Sequence, residues 1–275
     1  MGIPKIIWIY WATGFEDAPF IIKRCVASWK QKNPGWEVNL LDNNNLYDFI
    51  GPVDMRESVF ERLPIQKKAN LIRLKLVLER GGVWVDATCY CLKPLESWLF
   101  DSAPGGFFMF YKPGRDRIIS NWFVAGAKGN YLIKRLYERR CAYWDKNDFN
   151  HKSERQRKWV PFLCRVINRN EVLPLIWLTP LFTKILRIYP YLIFHYDFYW
   201  LVKVDKQCAK IWAMTRKINA GEAHKIQRLG MVKPLTEEGR KFIDSTATPL
   251  FKLSYKIDAA KMNANSVSQY LFDNY

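Results

Sequence analysis

The stretch from Gln66 to Pro94, QKKANLIRLKLVLERGGVWVDATCYCLKP, decides how the rest of the chain is read. Gln66 to Arg80 contains no proline or glycine, and good helix formers dominate it. Ile65, Ala69, Ile72 and Leu76 recur at helical spacing and predict an apolar stripe. Arg80 in the last turn and Gly81-Gly82 just past it are stop signals. Val83-Trp84-Val85 then has the β-branched and aromatic bias of a short buried strand. Asp86 follows directly. An acid at the end of an apolar strand is costly unless it meets water, a partner or a metal. Parallel strands place ligand sites at their carboxyl ends, which is where Asp86 stands.

Spacing adds to this. In an extended chain Asp86 and Thr88 point to one face, and Val85, Ala87 and Cys89 to the other. On the helix, Asn70 and Arg73 lie three apart and share a face. One site can therefore receive an amide, a guanidinium, a carboxylate and a hydroxyl. That set suits a nucleotide diphosphate: the guanidinium forks onto phosphate, and the acid binds a hydroxyl or a divalent cation. The structural alternative is an amphipathic helix packed on a strand, with Asp86 paired to Arg73 or capping a turn.

Ala69-Asn70, Arg73, Gly81-Gly82, Trp84 and Asp86 stand in the order of a known motif. The run resembles the sugar-binding region, with its D-x-D-like motif, of glycosyltransferase family 32. The capsular polysaccharide synthesis type resembles it most closely. Two positions depart from the pattern: Asn70 stands where the family often has Asp, and Thr88 replaces the second Asp of D-x-D. The resemblance implies a GT-A-like α/β fold and a nucleotide-sugar donor. It also implies a divalent cation, Mn2+ or Mg2+, at Asp86 and Thr88, with Asp86 and Arg73 as the catalytic pair. Thr88 weakens the metal, because a hydroxyl is a poorer ligand than a carboxylate for a hard cation.

The chain has 275 residues, with 49% hydrophobic and 16% aromatic residues, which excludes a disordered polymer. Its formal charge of +17 argues for an anionic partner: a phosphorylated substrate, an anionic membrane face or nucleic acid. No nucleic-acid reading motif is recognisable, which argues against the last. The six cysteines form no C-x-x-C pair and no zinc spacing with histidine. Without a signal peptide at Met1, reduced thiols in the cytoplasm are expected.

Ile3 to Trp11 reads as the first strand, Pro19 to Lys32 as a helix broken by Asn33-Pro34-Gly35, and Trp36 to Leu41 as the second strand. Asp42 reads as the cap of a short helix over Asn45 to Phe49. Strands alternating with helices predict a mostly parallel sheet flanked by helices. Gly105 to Phe110 and Asn121 to Ala125 read as further strands, and Asn130 as the cap of a helix to Trp144. From Lys128 to Arg169, twelve Lys/Arg face four Asp/Glu, a surface suited to anionic headgroups. Glu171 to Lys203 is strongly apolar but interrupted by Lys184, Arg187, Asp197 and three prolines, so it reads not as a membrane span but as core helices for the most part, with an interfacial segment bearing a Trp/Tyr-rich face as the alternative. His195 reads as a core residue rather than a base, and His224 as a surface residue or one that reaches an acceptor or diphosphate. Ile211 to Asn219 is predicted to be helical.

The resemblance continues in I-P-K-I-I-W, which implies that Trp8 lies near the nucleotide base and Thr13-Gly14 near the site. S-N-W-F-V-A-G-A-K-G-N implies that Asn121 sits near the donor sugar. The closing P-L-F-K-L-S-Y-K implies that Lys252 and Lys256 neutralise the leaving diphosphate. The reading is one domain over 1–275: a nucleotide-sugar-binding α/β core at 1–127 and a basic, apolar, helical acceptor-side part at 128–275. It transfers a hexose to a cell-surface polysaccharide or lipid-linked glycan with retention, peripheral to the cytoplasmic membrane face. Two alternatives stand beside it: a basic membrane- or nucleic-acid-binding module without catalysis, and a nucleotide-sugar hydrolase.

Overall fold

The computed structural model describes residues 2–147, 154–257 and 259–275. Its first half alternates as the sequence pattern requires. Strand β1 (Ile6–Tyr10) leads through α1 (Phe20–Lys32) to β2 (Glu37–Leu41). Two short helices, α2 (Leu46–Phe49) and α3 (Glu57–Arg62), precede the long α4 (Ile65–Arg80) and β3 (Gly82–Asp86). A turn at Ala87-Thr88 then reverses the chain into β4 (Cys89–Cys91). Helix α5 (Leu99–Ser102), β5 (Phe107–Phe108), the hairpin β6 (Tyr111–Gly114) with β7 (Arg117–Ile119), and β8 (Phe123–Gly126) complete this half.

The main sheet has the order β2-β1-β3-β8-β5. Strand β1 runs parallel to both β2 and β3, while β8 is antiparallel to β3 and β5. Four of the five strands therefore point one way, in an α/β sheet that is mostly parallel, as expected. The strand period of two sorts the side chains. Trp84 and Val124 face one hydrophobic cluster with Leu71 and Leu74 of α4. Val83, Val85, Phe123 and Ala125 face the other with Ile22, Val26 and Trp29 of α1.

Helix α4 differs from its predicted amphipathic form. Residues 70–77 are all buried, because the sheet covers one side and α6 packs against another. Ile65, expected in the apolar stripe, is 45% exposed at the helix start. The stop at Gly81-Gly82 has a geometric cause. Both residues have positive φ, and a Cβ on Gly82 would lie 2.5 Å from Ile6 O on the neighbouring strand.

The second half begins with α6 (Tyr131–Lys146), capped as predicted by the Asn130 side chain, which accepts from Leu132 and Ile133 N–H. It continues with α7 (Glu154–Ile167), irregular turns to Pro190, α8 (Ile193–Val204) and α9 (Lys206–Met214). Part of the basic run predicted from Lys128 to Arg169, residues 148–153, lies outside the described residues. Short helices α10 (Ala220–Ala223), α11 (Lys225–Leu229) and α12 (Glu237–Asp244) lead to β9 (Leu250–Lys252) and α13 (Val267–Asn274). Strand β9 returns to pair antiparallel with β4.

Two expectations need correction here. The helix predicted over Ile211–Asn219 is α9, five residues earlier at its start. Thr215–Asn219 is instead recruited by the hairpin: Ile218 O accepts from Tyr111 N–H at 2.8 Å, and Thr215 Oγ1 donates to Phe107 O at 3.1 Å. The apolar stretch 171–203 is only partly core. Trp177, Phe182 and α8 are buried, but Leu173, Ile176, Leu181, Ile185 and Leu186 are exposed. No helix among the described residues is long and apolar enough to cross a membrane.

Candidate active site

The carboxyl ends of β1 and β3, the N-terminal half of α4 and the β9 segment enclose a cavity of about 680 Å3. Asp86 lies at its centre, paired in register with Tyr10 of β1. Its carboxylate oxygens are divided between partners. Oδ1 accepts from Arg73 Nη2 at 2.9 Å and from Trp84 Nε1 at 3.0 Å. Oδ2 accepts from Lys252 Nζ at 3.1 Å. Lys252 also donates to Thr88 Oγ1, and Arg73 Nη1 donates to Asn70 Oδ1. Asn121 Nδ2 donates to the same Asn70 oxygen at 2.9 Å. The Arg73 guanidinium lies 5.3 Å from the centre of the Trp84 ring, and its Nε is buried without a hydrogen-bond partner. A planar cation fixed on two sides in this way costs little further ordering when it binds an anion.

Burial alone would raise the Asp86 carboxyl, but Lys252 and Arg73 beside it more than reverse this and hold it below the usual carboxylate range. Burial lowers the Arg73 guanidinium, with Asp86 opposing. Burial would lower the Lys252 ammonium, yet Asp86 turns the net shift upward. The trio is ionised across the neutral range. Lys67, Arg73, Arg117, Lys252 and Lys256 line the cavity, and among the described residues Asp86 is its only acid.

Structure thus brings together Asn70, Arg73, Asp86, Thr88, Asn121, Lys252 and Lys256, and places Thr13 on the same wall. Asp86 and Thr88 meet through the turn at residues 87–88 rather than along an extended strand; Lys252 spans them. Trp8 is a correction. It is 3% exposed, its Nε1 donates to Gly81 O at 2.8 Å, and its ring packs edge-on against Phe49. It lies two residues short of the strand end, so Tyr10 and Trp11 reach the cavity instead. Trp11 packs edge-on against Tyr255, with ring centres 5.1 Å apart. Of the two readings of His224, the surface one gives way: it lines the cavity half-buried beside Trp122, and burial lowers its pKa. His195 is buried as expected and borders the cavity too. Asp42 is not the helix cap expected: α2 begins at Leu46 with Asn45 as its N-cap, and Asp42 accepts from Asn44 and Asn45 N–H in the turn before it.

The sequence reading missed Lys67, Trp84 and Tyr10. Each had a signal. Lys67 stands three residues before Asn70 on the helix, Trp84 two before Asp86 on the strand, and Tyr10 ends β1.

The expected metal at Asp86 and Thr88 does not fit the residues present. Both Asp86 oxygens are engaged by cations, and the second position offers a neutral hydroxyl already bonded to an ammonium. Among the described residues no group of three or more His, Cys, Asp or Glu is placed to hold a metal.

Known proteins resemble the chain in several ways. An O-glycosyltransferase, braB, of Annulohypoxylon truncatum is 26% identical over 191 residues, covering 62% of this chain and 45% of that protein. The initiation-specific alpha-1,6-mannosyltransferase of Saccharomyces cerevisiae is 27% identical over 104 residues, 35% of this chain and 22% of the relative. The chain therefore spans less than half the length of these curated relatives. The solved PaToxG glycosyltransferase superposes with a TM-score of 0.42 at 14% identity, over 90% of this chain and 86% of that one. Residues 2–152, more than half of the 275, match the family described as capsular polysaccharide synthesis protein. The chain belongs to the capsular polysaccharide synthesis protein family.

Proposed function

We propose that the protein is a glycosyltransferase that moves a hexose from a nucleotide sugar to a cell-surface polysaccharide or lipid-linked glycan, with retention of anomeric configuration. One observation carries this reading: a cavity at the carboxyl ends of β1 and β3 in which five cations face a single acid. Electrostatic stabilisation of charge that develops in the transition state is the largest contribution such a site can make. As the bond from the sugar C1 to the diphosphate oxygen breaks, the electron pair stays with the diphosphate. Arg73, Lys252 and Lys256 are placed to receive that charge. Asp86 is held ionised with both oxygens engaged, so it orients Arg73 and Lys252 rather than taking a proton. The acceptor hydroxyl adds to C1 from the side the diphosphate leaves, and its proton passes to the leaving phosphate oxygen. Same-side delivery retains configuration. Asn121 presents its amide from the Asn70 side, and Trp11 and Tyr255 line the cavity as aromatic partners for base or sugar.

The glycosyltransferase names of the relatives support the same reading. An acceptor carried on lipid at an anionic membrane face agrees with the surface from Trp159 to Tyr191, which reaches the cavity at Tyr191 and is both apolar and basic.

Calorimetry with UDP-, GDP- and CDP-sugars tests this. One donor should bind the wild type, and Asp86→Ala should weaken it by roughly 30-fold or more, since it removes the partner of two buried cations. Failure of every donor to bind would leave a basic module without catalysis.

A further inference from the structure

Lys252 stands at the position where a divalent cation bridging Asp86 and Thr88 would stand. We propose that its ammonium takes the place of that cation and that the nucleoside diphosphate is held without a metal, an inference that rests on the transferase reading above.

The backbone fixes this lysine. Strand β9 pairs with β4 so that Lys252 lies opposite Cys89, and Leu253 N–H donates to Thr88 O at 2.8 Å. The side chain, 15% exposed, runs from that strand to the acid. Its Nζ is 3.1 Å from Asp86 Oδ2 and is hydrogen-bonded to Thr88 Oγ1. A hard cation held by these two oxygens would have to lie about 2.0–2.6 Å from each. The ammonium fills that volume. Expelling it would strand a charged group in a largely buried position, and metal coordination by one carboxylate and one neutral hydroxyl is weak recompense.

Charge points the same way. Arg73 and Lys252 against Asp86 leave a net single positive charge at the centre of the site, and Lys256 stands on the same wall. A diphosphate is attracted to that centre directly; a divalent cation is repelled by it. A lysine that supplies its charge covalently is present at full occupancy at any metal concentration. Thr88, read from the sequence as a defect in a metal motif, becomes the acceptor that aims the ammonium.

The test uses the full chain with UDP, GDP and CDP as probes, titrated by calorimetry in EDTA and again with Mn2+. The wild type should bind one of them with dissociation constants that agree within about twofold between the two buffers. Lys252→Met should weaken binding about 10- to 100-fold in either buffer, the range of one charge-assisted hydrogen bond. The double substitution Lys252→Ala with Thr88→Asp removes the ammonium and supplies a second carboxylate. It should bind Mn2+, read by loss of the free-ion electron paramagnetic resonance signal, which the wild type should leave unchanged. Circular dichroism checks that each variant folds; where one does not, the wild-type comparison alone decides. Wild-type binding abolished by EDTA and restored by Mn2+ would overturn the proposal and leave the transferase reading intact. Full affinity in a folded Lys252→Met would do the same. No binding of any of the three nucleotides by the wild type in both buffers would overturn the transferase reading and the proposal with it.

Discussion

His195 sits in the first turn of α8 with its ring edge-on to Phe194 and Nδ1 3.3 Å from Leu192 O. Burial lowers its pKa to about 3, and the cations Arg117, Lys67 and Arg73 push the same way, against the Leu192 contact. In the unfolded chain the imidazole titrates near its ordinary value of about 6.5. Between those values the unfolded state holds a proton that the native state refuses. Stability therefore falls as the pH drops below about 6.5, and the loss continues to about 3. At pH 5 this one group removes about 2 kcal/mol. Urea unfolding should show the wild type losing that much more than His195→Asn between pH 7.5 and 5; equal losses would mean that the native ring charges freely. The buried character of His195 could be read from the sequence, because Asp197 two positions on cannot share its helical face. Asp197 pairs with Arg139 at 2.6 Å and with Arg140 instead. Its place beside the cavity could not be read, because that depends on how α8 packs on β7. Asn70, Arg73 and Asp86 were readable for the opposite reason: two local periods alone bring their polar groups to one end of a helix–strand unit. The same period of two gives Trp8 and Tyr10 one face but does not say which of them reaches the strand end, and there the reading of Trp8 failed.

At the scale of elements, the junction of α4 and β3 is where local sequence and tertiary structure agree most closely. Gly82 has φ +91°, and a Cβ there would meet Ile6 O at 2.5 Å and the Trp8 indole nitrogen at 3.2 Å. The Ile6 carbonyl cannot yield without breaking the β1–β3 ladder that aligns Tyr10 with Asp86, and the Trp8 indole is held by its hydrogen bond to Gly81 O. Gly82→Ala should cost roughly 3 kcal/mol from strained backbone and overpacking together. Thermal or urea unfolding measures it. A loss under about 1 kcal/mol, the ordinary effect of a surface change, would mean that the junction is less tightly held than the contact distances imply. The pairing of β9 with β4 lies at the other extreme. It joins residues about 160 positions apart, and three residues carry too little pattern to announce a strand. Only the resemblance to a known family singled out Lys252 beforehand. The tail of α9 failed for a related reason. Thr215–Asn219 has acceptable helical composition, but the edge of the β6 hairpin offers it hydrogen bonds, and tertiary pairing outweighs weak local preference.

The whole molecule distributes its exposed apolar groups unevenly. Of the 17 large hydrophobic residues that are well exposed among the described residues, ten fall between Trp159 and Tyr191. Ile185 is 74% exposed at the end of a single wide helical turn, Leu181–Ile185. Arg165, Arg169, Lys184 and Arg187 are exposed among them. An apolar surface rimmed by cations fits the interface of an anionic bilayer, where each cation contributes about 1 kcal/mol and the apolar side chains insert between headgroups. The same surface meets the cavity at Tyr191, so under the proposed function a lipid-linked acceptor would arrive beside the sugar it receives. Co-sedimentation with vesicles should therefore be strong when roughly a third of the lipid is phosphatidylglycerol and weak on pure phosphatidylcholine. It should fall as salt rises, because the cations act through a screened potential. Leu181→Asp with Ile185→Asp should reduce vesicle binding at least fivefold through lost insertion and added repulsion, with nucleotide binding unchanged, since neither residue lines the cavity. Binding that ignores the anionic lipid, or that survives both aspartates, would detach the membrane from this face and leave the acceptor to reach the cavity from solution.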